Sequence, residues 1–200
     1  MRSGMPALEY RRGWISRVPM RLGRRALVAG GVCALVAGNV SAASAAPPAP
    51  WVLLVGSYQG FPGQYSSIQA AVDAARPGDW VLIGPGDYHE TGNRVPPGAA
   101  GDDRAGAAVL VTTPGLWIRG MDRNAVMLDG TKPGAPQCSS AAADQDFGPP
   151  GPGGPTGRNG LIVFKASGVS IENMSACNFL WGAYSAGNLL WFDGGASTGI

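Results

Sequence analysis

The chain is poor in the residues from which metal and acid–base sites are commonly assembled: it has one histidine, His89, and three cysteines in 200 residues. Sites built from several histidines are excluded. There is no basic face either. Seven of the 15 Lys and Arg (Arg2, Arg11, Arg12, Arg17, Arg21, Arg24, Arg25) precede residue 26 against one acid, Glu9, so eight bases meet twelve acids over the rest of the chain. A nucleic-acid partner needs clustered cations to displace counterions from phosphate, so none is expected. Long helical patterns are missing too, because 32 Gly and 17 Pro rule out a helical bundle or coiled coil. The apolar fraction, 45%, is ordinary and argues against wholesale disorder.

The basic start is followed by Ala26 to Ala46, which carries no charge. Its apolar core ends in Ser41-Ala-Ala-Ser-Ala-Ala46, with small residues placed for cleavage near Ala45 and Ala46. This predicts a secretory signal over residues 1–45, a Pro-rich linker over 46–50 and a secreted mature chain. Arg24-Arg25 leaves the twin-arginine route open beside the general secretory one. An uncleaved anchor is the alternative, since about 20 uncharged residues span a bilayer; after cleavage no stable membrane insertion is expected. Only Cys138 and Cys177 then remain, and an even pair in an exported protein predicts one disulfide, two free thiols being the alternative.

The clearest helix lies at about 66–76. Ser66 is placed as N-cap with Gln69 completing a capping box, and Ile68, Ala71, Val72 and Ala75 form one apolar stripe. Pro77-Gly78 ends it. Beyond it, short apolar runs alternate with turn residues: Trp80–Ile83, Val109–Val111, Leu116–Ile118, Val126–Leu128, Leu161–Phe164, Val169–Ile171 and Leu189–Phe192. Insertions occupy about 92–107 and 130–160. A slide of 53 residues lays Val111 on Phe164, Gly115 on Gly168, Ile118 on Ile171, Val126 on Phe179 and Leu128 on Trp181. Such units cannot bury an apolar face alone and are expected to stack. The pattern requires Val111 and Phe164 to share a face.

Ser67-Ile-Gln-Ala-Ala-Val-Asp-Ala-Ala75, Pro77-Gly-Asp-Trp-Val-Leu-Ile83, Gly86-Asp-Tyr-His-Glu90, Trp117-Ile-Arg-Gly120 and Ile171-Glu-Asn173 resemble phrases of the pectate lyase, polygalacturonase and pectinesterase superfamily. The resemblance covers roughly 51–200. It implies an all-β, right-handed parallel β-helix with a short N-terminal capping helix. The final Ser197-Thr-Gly-Ile200 reads as a truncation partway through a coil, the alternative being a partner chain over the open end. The implied partner is polysaccharide, with Ca²⁺ as cofactor if the chain is lyase-like; oligomeric state is left open.

The family's chemistry-bearing motifs are mostly missing. Where pectinesterases continue with Gln-Ala-Val-Ala, this chain has Ser175-Ala-Cys-Asn-Phe179. Asp102-Asp103 is the only adjacent acidic pair and reads as a solvated turn before an acid–base pair. Lyase chemistry would draw Ca²⁺ ligands from Asp122, Asp129, Asp144 or Asp146 and a base from Arg119, Arg123, Arg158 or Lys165; no spacing singles any out. Catalytic residues are therefore unassigned. Trp181, Tyr184 and Trp191 are the candidate substrate-binding residues, because sugar rings stack on aromatic faces. Core packing is the blander role for both tryptophans, and Tyr184, among small residues, is expected to be the more exposed. Asn173-Met-Ser175 is a glycosylation sequon, but a structural corner is the expected role of Asn173. The functional expectation is a carbohydrate-associated exported protein, lyase- or hydrolase-like or glycan-binding, the alternative being a non-catalytic structural surface module. A copper-delivery accessory role is disfavoured by the single histidine and by three of six Met lying in the leader.

Overall fold

The computed structural model describes residues 49–100, 104–184 and 186–194. The expected leader at 1–45 with its cleavage near Ala45 and Ala46, most of the linker at 46–50, Asp102-Asp103 and Ser197–Ile200 lie outside the described residues.

The described chain is mostly β. Strand β1 (Val52–Val55) is followed by a small ribbon, β2 (Ser57–Tyr58) with β3 (Phe61–Pro62), and by helix α1 (Ile68–Ala74). Then come β4 (Trp80–Ile83), β5 (Gly86–Tyr88), β6 (Gly106–Val111), β7 (Trp117–Gly120) and β8 (Val126–Asp129). A second ribbon, β9 (Pro150–Gly151) with β10 (Gly154–Pro155), precedes β11 (Arg158–Phe164), β12 (Ser170–Glu172), β13 (Ser175–Cys177) and β14 (Leu190–Asp193). Three small sheets are parallel: β1-β4-β7-β12, β5-β8-β13 and β6-β11-β14. Both ribbons are antiparallel.

Alternation along the first sheet sorts its side chains. Leu53, Val81 and Ile118 are paired across β1, β4 and β7 and lie inside, at 6%, 0% and 0% exposure. Their neighbours Val52, Trp80 and Trp117 share the other face. In the third sheet both faces are covered. Val109, Val111, Leu161 and Val163 belong to the main core, while Ala107, Leu110, Ile162 and Phe164 form a second cluster with Trp191. Burial on both faces is usual for parallel strands and explains why residues 107–111 of β6 and 161–164 of β11 read as unbroken apolar runs.

Helix α1 links β1 to its parallel neighbour β4, the crossover such strands require. Its stripe, Ile68, Ala71, Val72 and Ala75, is buried as expected. The ends differ from the expectation. Ser67, not Ser66, is the N-cap, accepting from the Ala70 amide at 3.2 Å. The reciprocal role falls to Glu90, whose carboxylate takes the Ile68 amide at 2.5 Å and the Ser67 hydroxyl at 2.8 Å. Gln69 is thereby released. Its Oε1 accepts from the Leu110 amide at 2.6 Å and its Nε2 donates to the Leu110 carbonyl at 3.1 Å.

The expected all-β, right-handed parallel β-helix is not found, and the fold class is corrected to a mostly-β arrangement of several small parallel sheets with one helix. The uniform repeat behind that expectation fails. Ile118 pairs with Ile171 at the expected spacing, but Val111 pairs with Val163 and Leu128 with Ala176. Val111 and Phe164 consequently belong to different clusters on opposite faces of the third sheet. A slip of one residue turns a strand's side chains over, so a single 53-residue period cannot describe all three sheets. Parallel sheets and a β1-α1-β4 crossover are also features that an α/β fold shares.

The expected disulfide is present: Cys138 and Cys177 are joined, with Cα atoms 5.8 Å apart. It ties the long insertion to the end of β13. Among the described residues no helix is long and apolar enough to cross a membrane.

Candidate functional site

The outer face of the first sheet begins at its turns. Gly78, Gly115 and Gly168, with φ of 90°, 69° and 68°, each stand two residues before the strand positions Trp80, Trp117 and Ser170. Positive φ favours glycine, and the repeated turn brings the three strands in at a common register. Val52, Trp80, Trp117 and Ser170 are therefore successive rungs of one column. Trp80 and Trp117 stack with ring centroids 4.8 Å apart and planes 20° apart. Serine is the smallest rung, so among the described residues no ring stacks on the face of Trp117 away from Trp80; Trp117 is 41% exposed.

Two residues along each strand lies a second column, Leu54, Leu82, Arg119 and Glu172. Arg119 Nη1 contacts Glu172 Oε2 at 2.7 Å, and the Ser170 hydroxyl donates to Glu172 Oε1 at 2.8 Å. A flat aromatic face thus borders a rail of charge-paired donors and acceptors. Apolar ring faces flanked by hydrogen-bonding groups suit a sugar ring, whose C–H face is apolar and whose edge is hydroxyl-rich. Both charged partners are partly exposed, so the ion pair adds little stability and its groups are accessible to ligand hydroxyls.

The candidate aromatics from the sequence are not brought together. Trp181 is 69% exposed where packing was the blander reading. Tyr184, expected to be open, is half-buried with the Arg104 guanidinium 4.6 Å from its ring centroid. Trp191 packs beside Leu110, Ile162 and Phe164.

The aspartates weighed as Ca²⁺ ligands are engaged separately. Asp122 accepts from the Asn124 amide, Asp144 from the Ser139 hydroxyl, and Asp146 from the Gly148 amide and Arg158. Asp129 takes the Thr131 and Cys138 amides. Of the bases considered, Arg158 is buried and bonds Asp146 at 2.6 Å and the Glu90 carbonyl. Arg123 reaches Asn173 at 3.4 Å, and the Lys165 ammonium sits 4.7 Å from the Phe164 ring. Asn173 is a corner, as expected: its φ is 53° and its amide donates to the Gly120 carbonyl at 2.7 Å.

Sequence reasoning missed Trp117 as a surface residue. The signal was Gly-x-Trp, which occurs at Gly78-Asp-Trp80 and again at Gly115-Leu-Trp117. No protein-family model matches this chain, and no curated protein matches it.

Proposed function

We propose that this is an exported, carbohydrate-associated protein that binds polysaccharide on the outer face of the first sheet. The observation that carries this reading is the Trp80–Trp117 stack, left open on the Ser170 side and bordered by Arg119 and Glu172. One pyranose ring packs on Trp117 while its hydroxyls reach the Ser170–Glu172–Arg119 rail. Export is supported by the basic-then-apolar leader and by the Cys138–Cys177 bond, which suits an oxidising compartment. The phrases resembling pectate lyases and pectinesterases support the same ligand class. The separate engagement of Asp122, Asp144 and Asp146 favours binding over turnover.

Affinity electrophoresis through gels containing pectin, alginate, xylan or cellulose derivatives tests this. At least one polysaccharide should retard the protein, and Trp117→Ala should be retarded much less. Equal mobility in every gel would overturn the reading. Incubation with the same polymers, read by ultraviolet absorbance of unsaturated products, separates binding from lyase activity.

A further inference from the structure

A second group of polar residues lies on another sheet, away from the aromatic column. His89 directly follows β5, which carries Asp87, and β5 pairs with β8, which ends in Asp129. One ring nitrogen of His89 and one carboxylate oxygen each from Asp87 and Asp129 lie within 4.8 Å of one another. Asp87 and His89 also line a polar cleft of about 400 Å³ beside the start of α1.

The ring environment is specific. Nδ1 lies 3.1 Å from the Thr131 carbonyl, which can only accept, so Nδ1 carries a hydrogen. Nε2 lies 3.3 Å from Asp87 Oδ2, another acceptor when ionised. With the hydrogen on Nδ1, the Nε2 lone pair of a neutral ring faces the Asp87 carboxylate, an arrangement that either a second ring hydrogen or a cation held between Nε2 and Oδ2 satisfies. Asp129 adds a second demand for positive charge: it is fully buried, and its hydrogen-bond partners are the Thr131 and Cys138 backbone amides. Among the described residues no Lys or Arg forms an ion pair with it. Thr131, whose backbone carbonyl and amide meet His89 and Asp129, is 1% exposed, and its buried hydroxyl has no hydrogen-bond partner.

We propose that Asp87, His89 and Asp129 bind one divalent transition-metal ion of the zinc type. A backbone carbonyl on Nδ1 with Nε2 free for metal is the usual outer support of a histidine ligand. Ligand atoms around tetrahedral zinc stand about 3.4 Å apart for bonds of about 2.1 Å, close to the His89–Asp87 separation. One nitrogen and two carboxylates suit a borderline ion better than Ca²⁺, which prefers oxygen alone. The other apparent cluster, Asp129 with Cys138 and Cys177, offers no thiolate because its sulfurs are bonded to each other.

The test is calorimetric titration of the full chain with Zn²⁺, with Co²⁺ as a spectroscopic substitute. Wild type should take up one equivalent at micromolar metal, and Co²⁺ should give visible bands of nitrogen–oxygen ligation. Asp87→Asn and His89→Gln should each weaken Zn²⁺ about tenfold or more. Asp87 is partly exposed and forms no part of the core, so Asp87→Asn carries the test should His89→Gln fail to fold. Absence of saturable uptake by wild type would overturn the proposal, as would wild-type affinity in Asp87→Asn.

Discussion

Gln69 closes the outer edge of β6 by hydrogen-bonding both backbone groups of Leu110. Its side-chain amide presents a donor and an acceptor at the spacing a further strand would offer. This one residue fixes α1 against the third sheet and satisfies an edge that would otherwise be buried with two polar groups unpaired.

Gln69→Ala should therefore destabilise the fold by about 2–6 kcal/mol, since a buried donor and a buried acceptor each lose a partner at about 1–3 kcal/mol. Urea unfolding of the two proteins measures this. Gln69→Glu should also be destabilised, because an ionised carboxylate cannot donate to the Leu110 carbonyl.

Tyr88 gives a prediction in alkali. Its hydroxyl donates to the Gly84 carbonyl at 2.8 Å, and its pKa is raised, first by burial and second by the nearby Glu90 carboxylate. A tyrosine whose folded value exceeds its unfolded value of about 10 contributes stability that is intact below that value and lost as the pH rises beyond it. Absorbance titration of phenolate should show one group ionising later than the others, and Tyr88→Phe should remove it. Unfolding monitored by circular dichroism should begin as that last group ionises.

The Cys138–Cys177 bond spans a sequence separation of 39 residues, and loop-closure entropy assigns such a link about 4 kcal/mol. Reduction, or Cys138→Ser with Cys177→Ser, should lower the urea midpoint accordingly. Cleavage by a protease should then appear first within the 130–160 insertion.

Gly115 tests the register of the aromatic column. A Cβ there would lie 3.3 Å from the Gly78 amide nitrogen, and its φ of 69° already disfavours other residues. Gly115→Ala should cost about 1–2 kcal/mol and, by shifting Trp117, should weaken polysaccharide retention as well. Circular dichroism and affinity electrophoresis on the same sample read the two effects.

What the sequence made legible were the local features. The α1 stripe, the cysteine pair and most strand cores are encoded within a few residues and survive whatever packs around them. The sheet pairings were not legible, because different turns and insertions change the spacing between paired strands. Phe164 is as apolar as Val163, so hydrophobicity alone could not choose which of them faces Val111. β13 carries no strand signal in the sequence because Ser175-Ala-Cys177 is short and only partly buried. The 53-residue slide lays Trp181 on Leu128, whereas Leu128 pairs with Ala176, leaving Trp181 outside the sheet. The role of Gln69 depended on Glu90 reaching the Ile68 amide from 22 residues away, a contact no local motif announces.

Comparison of Trp117→Ala with Trp181→Ala reads the ligand face most directly, since both tryptophans are accessible and only Trp117 belongs to the stacked column. Binding to the retarding polysaccharide, measured by affinity electrophoresis over a concentration series, should fall about tenfold or more in Trp117→Ala, from the loss of one ring contact of about 1.5 kcal/mol. Trp181→Ala should bind as wild type does. Full binding by Trp117→Ala, or loss confined to Trp181→Ala, would contradict the account.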